Sequence, residues 1–383
     1  MASPRHPLSP GTFLVRNLDK SLPLVGVIIL AVMLVTAIIS LIDSIPYSIR
    51  TIYQYSGAML GVTPRGDAQM TSKLTARLTD NPPVPVERVA LCRAMGTQVQ
   101  SIVGRWPFVV LALSPEDTRY YFKRQGVRGI QGRLPYPGQP EAVISRPVAK
   151  NKRLHIGSVL LGPNLDESYS PKNVRVVGIV DTDYWLMTAD LAYHRAYHFP
   201  PVDLALVFTK NRVDQETYDR WAEKKLKGER AQLFAYHQIQ KNTDEMFVTL
   251  YAILNVVIGI LVAVITVMMG MLINIYQGQR TVEFGLLQAI GHSKRQLIRR
   301  SLTESALVVL IGWGLGVVVA RGLLEVVRLV LMEPRAFALD VADRVALLYT
   351  VPLPFAILAV AVGSILRRFR TFDPVAVVER RLA

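Results

Sequence analysis

Four apolar runs, Leu22–Ile42, Phe247–Ile275, Leu302–Ala320 and Val345–Leu366, constrain this chain more than any other feature. Crossing a bilayer's hydrocarbon core takes about 20 residues of helix, and each run reaches roughly that length. The second run holds no charged residue. At about 1.5 Å per residue it would span roughly 43 Å, so it must tilt or project beyond the bilayer. The polar stretch before it, Gln238–Glu245, contains neither Pro nor Gly, which favours projection. Arg16 and Lys20 precede the first run as they would a signal peptide. That run is too long for a signal peptide's apolar core, however, and no small-residue cleavage site follows it, so a retained anchor is expected.

The chain has 383 residues, 51% apolar and only 19% charged, against about 25% charged in average soluble chains. Its net charge of +15 would suit nucleic acid, but its distribution points elsewhere. Three short segments are basic: 1–21 (Arg5, Arg16, Lys20), 276–301 (Arg280, Lys294, Arg295, Arg299, Arg300) and 367–383 (Arg367, Arg368, Arg370, Arg380, Arg381). Basic short loops stay on the cytoplasmic side of a membrane. The expected order is a cytoplasmic segment 1–21, a span 22–42, an outer region 43–246 and a span 247–275. A cytoplasmic segment 276–301, a span 302–320, an outer loop 321–344, a span 345–366 and a cytoplasmic tail 367–383 follow. No nucleic-acid partner is expected; an anionic lipid surface remains open.

Thr12–Lys20 is expected to lie along the interface as an amphipathic helix. Tyr47–Leu60 reads as a stalk helix ended by Gly61, Pro64 and Gly66. Between about Asp67 and Gln238 the pattern is α+β. Strand-like runs are Gln98–Val103, Phe108–Leu113, Glu141–Ser145, Val174–Val180 and Leu204–Thr209. Helix candidates are Pro115–Gln125 and Asp214–Lys227; in the latter, acids open the helix, Lys224, Lys225 and Lys227 close it, and Gly228 follows. About 170 residues can bury a substantial core. The expected fold is an α-helical membrane protein with four transmembrane helices plus an α+β extracytoplasmic domain inserted between helices 1 and 2.

Within the third run, Gly312, Gly316 and Ala320 stand at i, i+4 and i+8, a smooth face that admits a close helix neighbour. Packing within the bundle and a homodimer interface both fit it. In the fourth run, Pro352 and Pro354 predict a kink.

The motifs of catalysis are missing. The sequence contains no G-x-x-x-x-G-K-[ST] phosphate loop, no G-x-S-x-G elbow and no H-E-x-x-H pair. A single cysteine, Cys92, leaves no intramolecular disulfide and no cysteine-based zinc site. His194 and His198 have ligand-like spacing but lack a third ligand, and Asp181 and Asp183 read as turn residues after a strand. Neither catalytic, cofactor nor metal residues are expected. Glu304, near the cytoplasmic end of its run, is almost the only intramembrane acid, which argues against an ion-driven carrier. The chain thus has no energy source of its own, and a driver is expected from the cytoplasm.

That driver has an expected landing place, the basic amphipathic stretch Gln279–Ile298 between the second and third runs. It reads Arg280, Glu283, Gly285, Gln288, Ala289, Ile290, Gly291, His292 and Lys294 at the positions of a motif. With Phe372-Asp373-Pro374-Val375-Ala376 near the end, and with the one-plus-three arrangement of runs, it resembles the MacB/FtsX-type (type VII) permeases of ABC transporters. Gln288 stands where that family usually has a basic residue, and His292 where it has Ala or Met. The resemblance covers roughly the last 140 residues; the outer domain matches only in position and size. It implies a non-enzymatic permease subunit, homodimeric, in a bacterial inner membrane. It also implies a separate ABC ATPase that binds ATP and Mg. Movement of the coupling segment would reach the outer domain by mechanotransmission, driving efflux or extraction of a lipid, lipoprotein, peptide or small toxic molecule, with a periplasmic adaptor as a further partner. The alternative it implies is an FtsX-like regulator that activates an extracytoplasmic cell-wall hydrolase. Gly285 and Gly291 suit a turn or close approach, and Arg280, Glu283 and Lys294 are expected to make charge-assisted contacts to the ATPase.

Overall fold

A computed structural model describes residues 18–66, 70 and 72–370. Most of the expected interfacial helix 12–20 lies outside these residues, as do Arg5, Arg16, Arg380, Arg381 and the motif 372–376. The chain divides into two compact units. One, helical, comprises residues up to 42, 249–327 and from 340 onward; the other, built on a sheet, comprises 43–248 and 328–339.

Helix α1 (Leu18–Tyr53) runs through the first apolar run and ends in a 3-10 turn, Gln54–Ala58. Strand β1 (Leu60–Pro64) follows. Gly61 and Pro64 therefore lie within a strand rather than ending a stalk helix. The absence of a side chain at Gly61 suits a strand under Phe234, whose Cβ would lie 3.4 Å from an added Cβ.

The sheet unit continues through α2 (Ser72–Thr79), β2 (Val86–Ser101), β3 (Gly104–Leu113) and α3 (Pro115–Arg124). Then come β4 (Ile130–Gly132), β5 (Glu141–Ser145), α4 (Arg146–Lys152), β6 (Val159–Leu161) and β7 (Val174–Val180). It closes with β8 (Met187–Asp190), α5 (Leu191–Ala196), β9 (Asp203–Thr209), α6 (Arg212–Lys225) and β10 (Ala231–Phe234). The strands form one mixed sheet in the order β10-β1-β9-β2-β3-β8-β5-β7-β4, with β6 on β7. β3–β8 and β5–β7 are parallel and the other pairs antiparallel. Burial along β7 alternates, while β9 is buried on both faces, as a central strand should be.

Local chemistry sets the helix starts. Ser114 accepts the amide of Asp117 ahead of Pro115 at the first turn of α3, and Asn211 accepts the amide of Asp214 at the start of α6. The core gathers Phe108, Val110, Tyr121, Ile144, Val176, Trp185 and Phe208, and a smaller cluster packs α2 and α6 on β1 and β9.

Residues 328–339 belong to this unit and not to a free outer loop. Asn151 joins the amide and carbonyl of Gln100 and donates to the carbonyl of Arg335 at 2.8 Å. Ala336 packs against the main core.

In the helical unit, α7 (Tyr236–Gln279) is a single 44-residue helix. A short helix α8 (Thr281–Ala289) leads to α9 (Lys294–Val327), which extends past the expected end at Ala320. The last run is broken ahead of Pro352 into α10 (Arg344–Thr350) and α11 (Pro352–Arg370), where Pro restricts the residue before it. The described residues thus contain four helices long and apolar enough to cross a membrane. Gly312 and Gly316 lie against α1: an added Cβ would come within 2.9 Å of Ile28 and 2.8 Å of Val32. Ala320 is fully buried.

Candidate functional site: the segment between the second and third apolar helices

The segment is built around Arg280, which sits between α7 and α8 and is 1% exposed. Its Nη1 donates to Glu304 Oε2 at 2.5 Å and its Nε to Glu283 Oε2 at 3.2 Å. The rings of Tyr276 and Phe284 lie 5.5 and 5.1 Å from the guanidinium. Glu304 is itself buried, and its Oε1 accepts from Arg300 Nε at 3.0 Å, one turn earlier on α9. A buried charge needs such partners. Within this chain Arg280 is thus buried and paired, and it ties the start of α8 to α9.

Two further contacts hold α8. The Phe284 and Phe369 rings meet at a tilt, 5.4 Å between centroids, within a cluster that includes Leu297 and Ile365. Arg368 donates to the Asn274 carbonyl at 3.1 Å and to Thr281 Oγ1 at 3.1 Å, across the end of α7. Gly285 is buried within α8. Gly291 has φ +102, a left-handed conformation suited to glycine, and ends the helix. Ser293 and Gln296 then exchange side-chain to backbone bonds, capping the start of α9.

What α8 leaves outside is a second pattern. Val282, Leu286 (59% exposed) and Ile290 (71% exposed) stand at i, i+4 and i+8. Glu283, Ala289, Lys294 and Arg295 are exposed beside them, and Gln288 and His292 are half-buried. The sequence motif marked this segment by Arg280, Glu283 and Lys294. It did not mark Glu304 as the ion-pair partner, although the Arg300/Glu304 i, i+4 spacing was available, nor did it mark Phe284 with Phe369.

The other singled-out residues are structural. Asp181 bonds Arg128 and Arg146 at 3.1 and 3.2 Å, and Asp183 reaches Arg128 at 3.4 Å. His194 is fully buried, and burial lowers its pKa to about 4; His198 is exposed in a left-handed turn. Cys92 is buried, which pushes its thiol pKa up. Among the described residues no group of three His, Cys, Asp or Glu could hold a metal ion.

The family model of the MacB-like periplasmic core domain matches residues 24–221. Among solved structures, the periplasmic region of MacB from Actinobacillus actinomycetemcomitans is similar at 10% identity, over 50% of this chain and 95% of that one, with a TM-score of 0.27. The extracellular domain of the noncanonic ABC-type transporter YknZ from Gram-positive bacteria is similar at 13% identity, over 46% and 99%, with a TM-score of 0.25. No curated protein matches the chain.

Proposed function

The chain belongs to the family of the MacB-like periplasmic core domain, that of MacB/FtsX-type permeases of ABC transporters, and on that premise we propose that it couples a separate cytoplasmic ATPase to movement of its sheet unit. It is a multi-pass membrane protein. In this reading both termini and α8 face the cytoplasm of a bacterial inner membrane and the sheet unit lies outside. Two copies pair with two ATPase subunits, which bind ATP and Mg. Closure of the ATPases pushes α8, and the long helices α1 and α7, which contribute residues to both units, carry the movement outward. The cargo class is a lipid, lipoprotein, peptide or small toxic molecule that the outer unit extracts or exports.

One observation carries this reading: α8 is pinned inside by Arg280 and Phe284 yet exposes Leu286 and Ile290. Arg280 and Phe284 hold the helix from within, so its apolar ridge is presented outward on a fixed support. Purification in mild detergent, with mass spectrometry of what accompanies the chain, tests it. An ABC ATPase should be recovered with wild type and lost from Leu286→Asp/Ile290→Asp, which leaves the Arg280–Glu304 pair intact. Absence of any ATPase from the wild-type preparation would defeat the proposal, and recovery of a cell-wall hydrolase with the ATPase would redirect it to regulation.

A further inference from the structure

Within the sheet unit, a half-open pocket of about 410 Å³ lies between the end of α1, the strands β1, β2, β3, β9 and β10, and the start of α7. That volume falls in the range of small-molecule sites, about 300–1,000 Å³. Tyr53, Trp106, Phe108, Leu206, Phe234 and Met246 form most of its wall, and among the described residues no charged side chain lines it.

The polar groups of the wall are mostly occupied by their own backbone. The Tyr53 hydroxyl donates to the Pro107 carbonyl at 2.5 Å, Ser56 Oγ to the Tyr53 carbonyl at 2.7 Å, and Thr243 Oγ1 to the Ile239 carbonyl at 2.7 Å. Such a wall does not select a polar or charged molecule. It also leaves large apolar side chains uncovered: Met246 is 61% and Phe234 43% exposed. Exposed apolar surface of this kind marks a binding site, and Met, being unbranched, adapts to an irregular occupant.

The occupant follows from where the wall leads. Met246 directly precedes the charge-free run that begins at Phe247, on the same unbroken helix. On the Met246 side of that helix the exposed apolar side chains continue through Ile253, Val256 and Ile260, a face that a multi-pass protein turns to lipid. Tyr53 and Trp106, each half-buried with a polar edge, are the residue types that concentrate where a bilayer meets water. We propose that this pocket receives one acyl chain of a phospholipid drawn from the surrounding bilayer. The chain enters along α7 past Met246, and the headgroup stays outside, because among the described residues no charged side chain lines the wall to pair with its phosphate. The inference needs only that the protein spans a bilayer; it does not depend on ATPase coupling.

The test uses the full chain in nanodiscs of phosphatidylethanolamine and phosphatidylglycerol doped with a phospholipid carrying a diazirine midway along its palmitoyl chain, without nucleotide or ATPase. After illumination, adducts are located by mass spectrometry. Labelling of Met246, Phe234 and Trp106 as well as of Ile260 and Val264 is expected. Ala94→Trp places an indole in the pocket, and pocket labelling should fall at least about tenfold, the loss equivalent to withdrawing about two buried methylenes. Labelling at Ile260 and Val264 should stay unchanged, which reports that the variant is inserted, and a urea unfolding midpoint of the sheet unit close to that of wild type reports that it is folded. Labelling of the α7 face without the pocket in wild type, which requires no variant, would overturn the proposal. Pocket labelling that persists in Ala94→Trp would do the same. Pocket labelling present with one chain per disc but lost with two would assign the face to a second copy, and would overturn it too.

Discussion

In the sheet unit the largest side chains point inward: Trp185, Tyr121, Phe208 and Leu60 are almost wholly buried. In the helical unit Ile253, Val256, Ile260, Val264 and Val318 are all more than half exposed, and the buried set is small and divided among three clusters. The sheet unit follows the rule for water, where burying apolar area drives folding. The helical unit follows the rule for lipid, where exposed Val and Ile cost nothing and helices associate through small residues and polar pairs. Stability should therefore depend on different residues in the two units.

The sharpest break concerns the buried ion pairs. Glu304→Ala leaves Arg280 buried without its main partner and should cost about 3–5 kcal/mol, read as lost thermal stability in detergent. The corresponding pair in the sheet unit, Arg93–Asp203, should be less sensitive. Both residues there are more exposed, and Arg93 keeps a bond from Nη1 to the His194 carbonyl at 3.2 Å. If Asp203→Ala and Glu304→Ala cost the same, the helical unit does not rely on its ion pair as argued.

Two titrating groups sharpen the description of the sheet unit's interior. Burial lowers the His194 pKa from 6.5 to about 4, so its contribution is present above pH 6.5 and lost as pH falls toward 4. Burial raises the Asp219 carboxyl from 3.8 to about 6, despite the Gln215 side chain donating to it at 2.8 Å. Its contribution is present below 3.8 and lost as pH rises through 6. Each amounts to about 3 kcal/mol, and the two oppose each other between pH 4 and 6. Urea unfolding across that window should show His194→Phe gaining stability on acidification and Asp219→Asn losing it. Parallel curves for the two variants would remove burial as the cause.

Close helix approach gives a smaller effect. Gly316→Ala drives a methyl toward Val32 and should cost about 1–3 kcal/mol. Gly314, with nothing within 4 Å of an added Cβ, should accept Ala and gain up to about 1 kcal/mol from helix propensity. Equal thermal shifts for the two would mean that α1 and α9 do not meet through Gly316.

Much of this was readable in advance. The apolar runs announced four helices, and β5 and β7 fell where β-branched runs stood between turns. Gly61–Pro64 misled because Gly and Pro usually end elements, yet here they serve a strand whose neighbour, Phe234, packs close. The return of 328–339 to the sheet unit involves the Asn151–Arg335 bond and the Ala336 contact, which carry no periodic signal. Likewise, the motif identified Arg280 but not its inward direction: its partner Glu304 lies 24 residues on, across a turn shaped by Gly291 and the Ser293 cap.

The smallest expected stability effect is the most informative about function. Leu286 touches water rather than core, so Leu286→Ser should leave stability within about 0.5 kcal/mol. If α8 docks in a groove, however, that ridge residue is an anchor, and losing it should cost more than 1 kcal/mol of partner affinity, about a fivefold rise in Kd. Phe284→Ser should do the reverse, unseating α8 from Phe369 and destabilising the helical unit. Loss of partner with stability kept, against loss of stability at the neighbouring inward position, would separate the surface of α8 from its scaffold. A Leu286→Ser variant that binds as well as wild type would leave the ridge without a partner and return the segment to lipid.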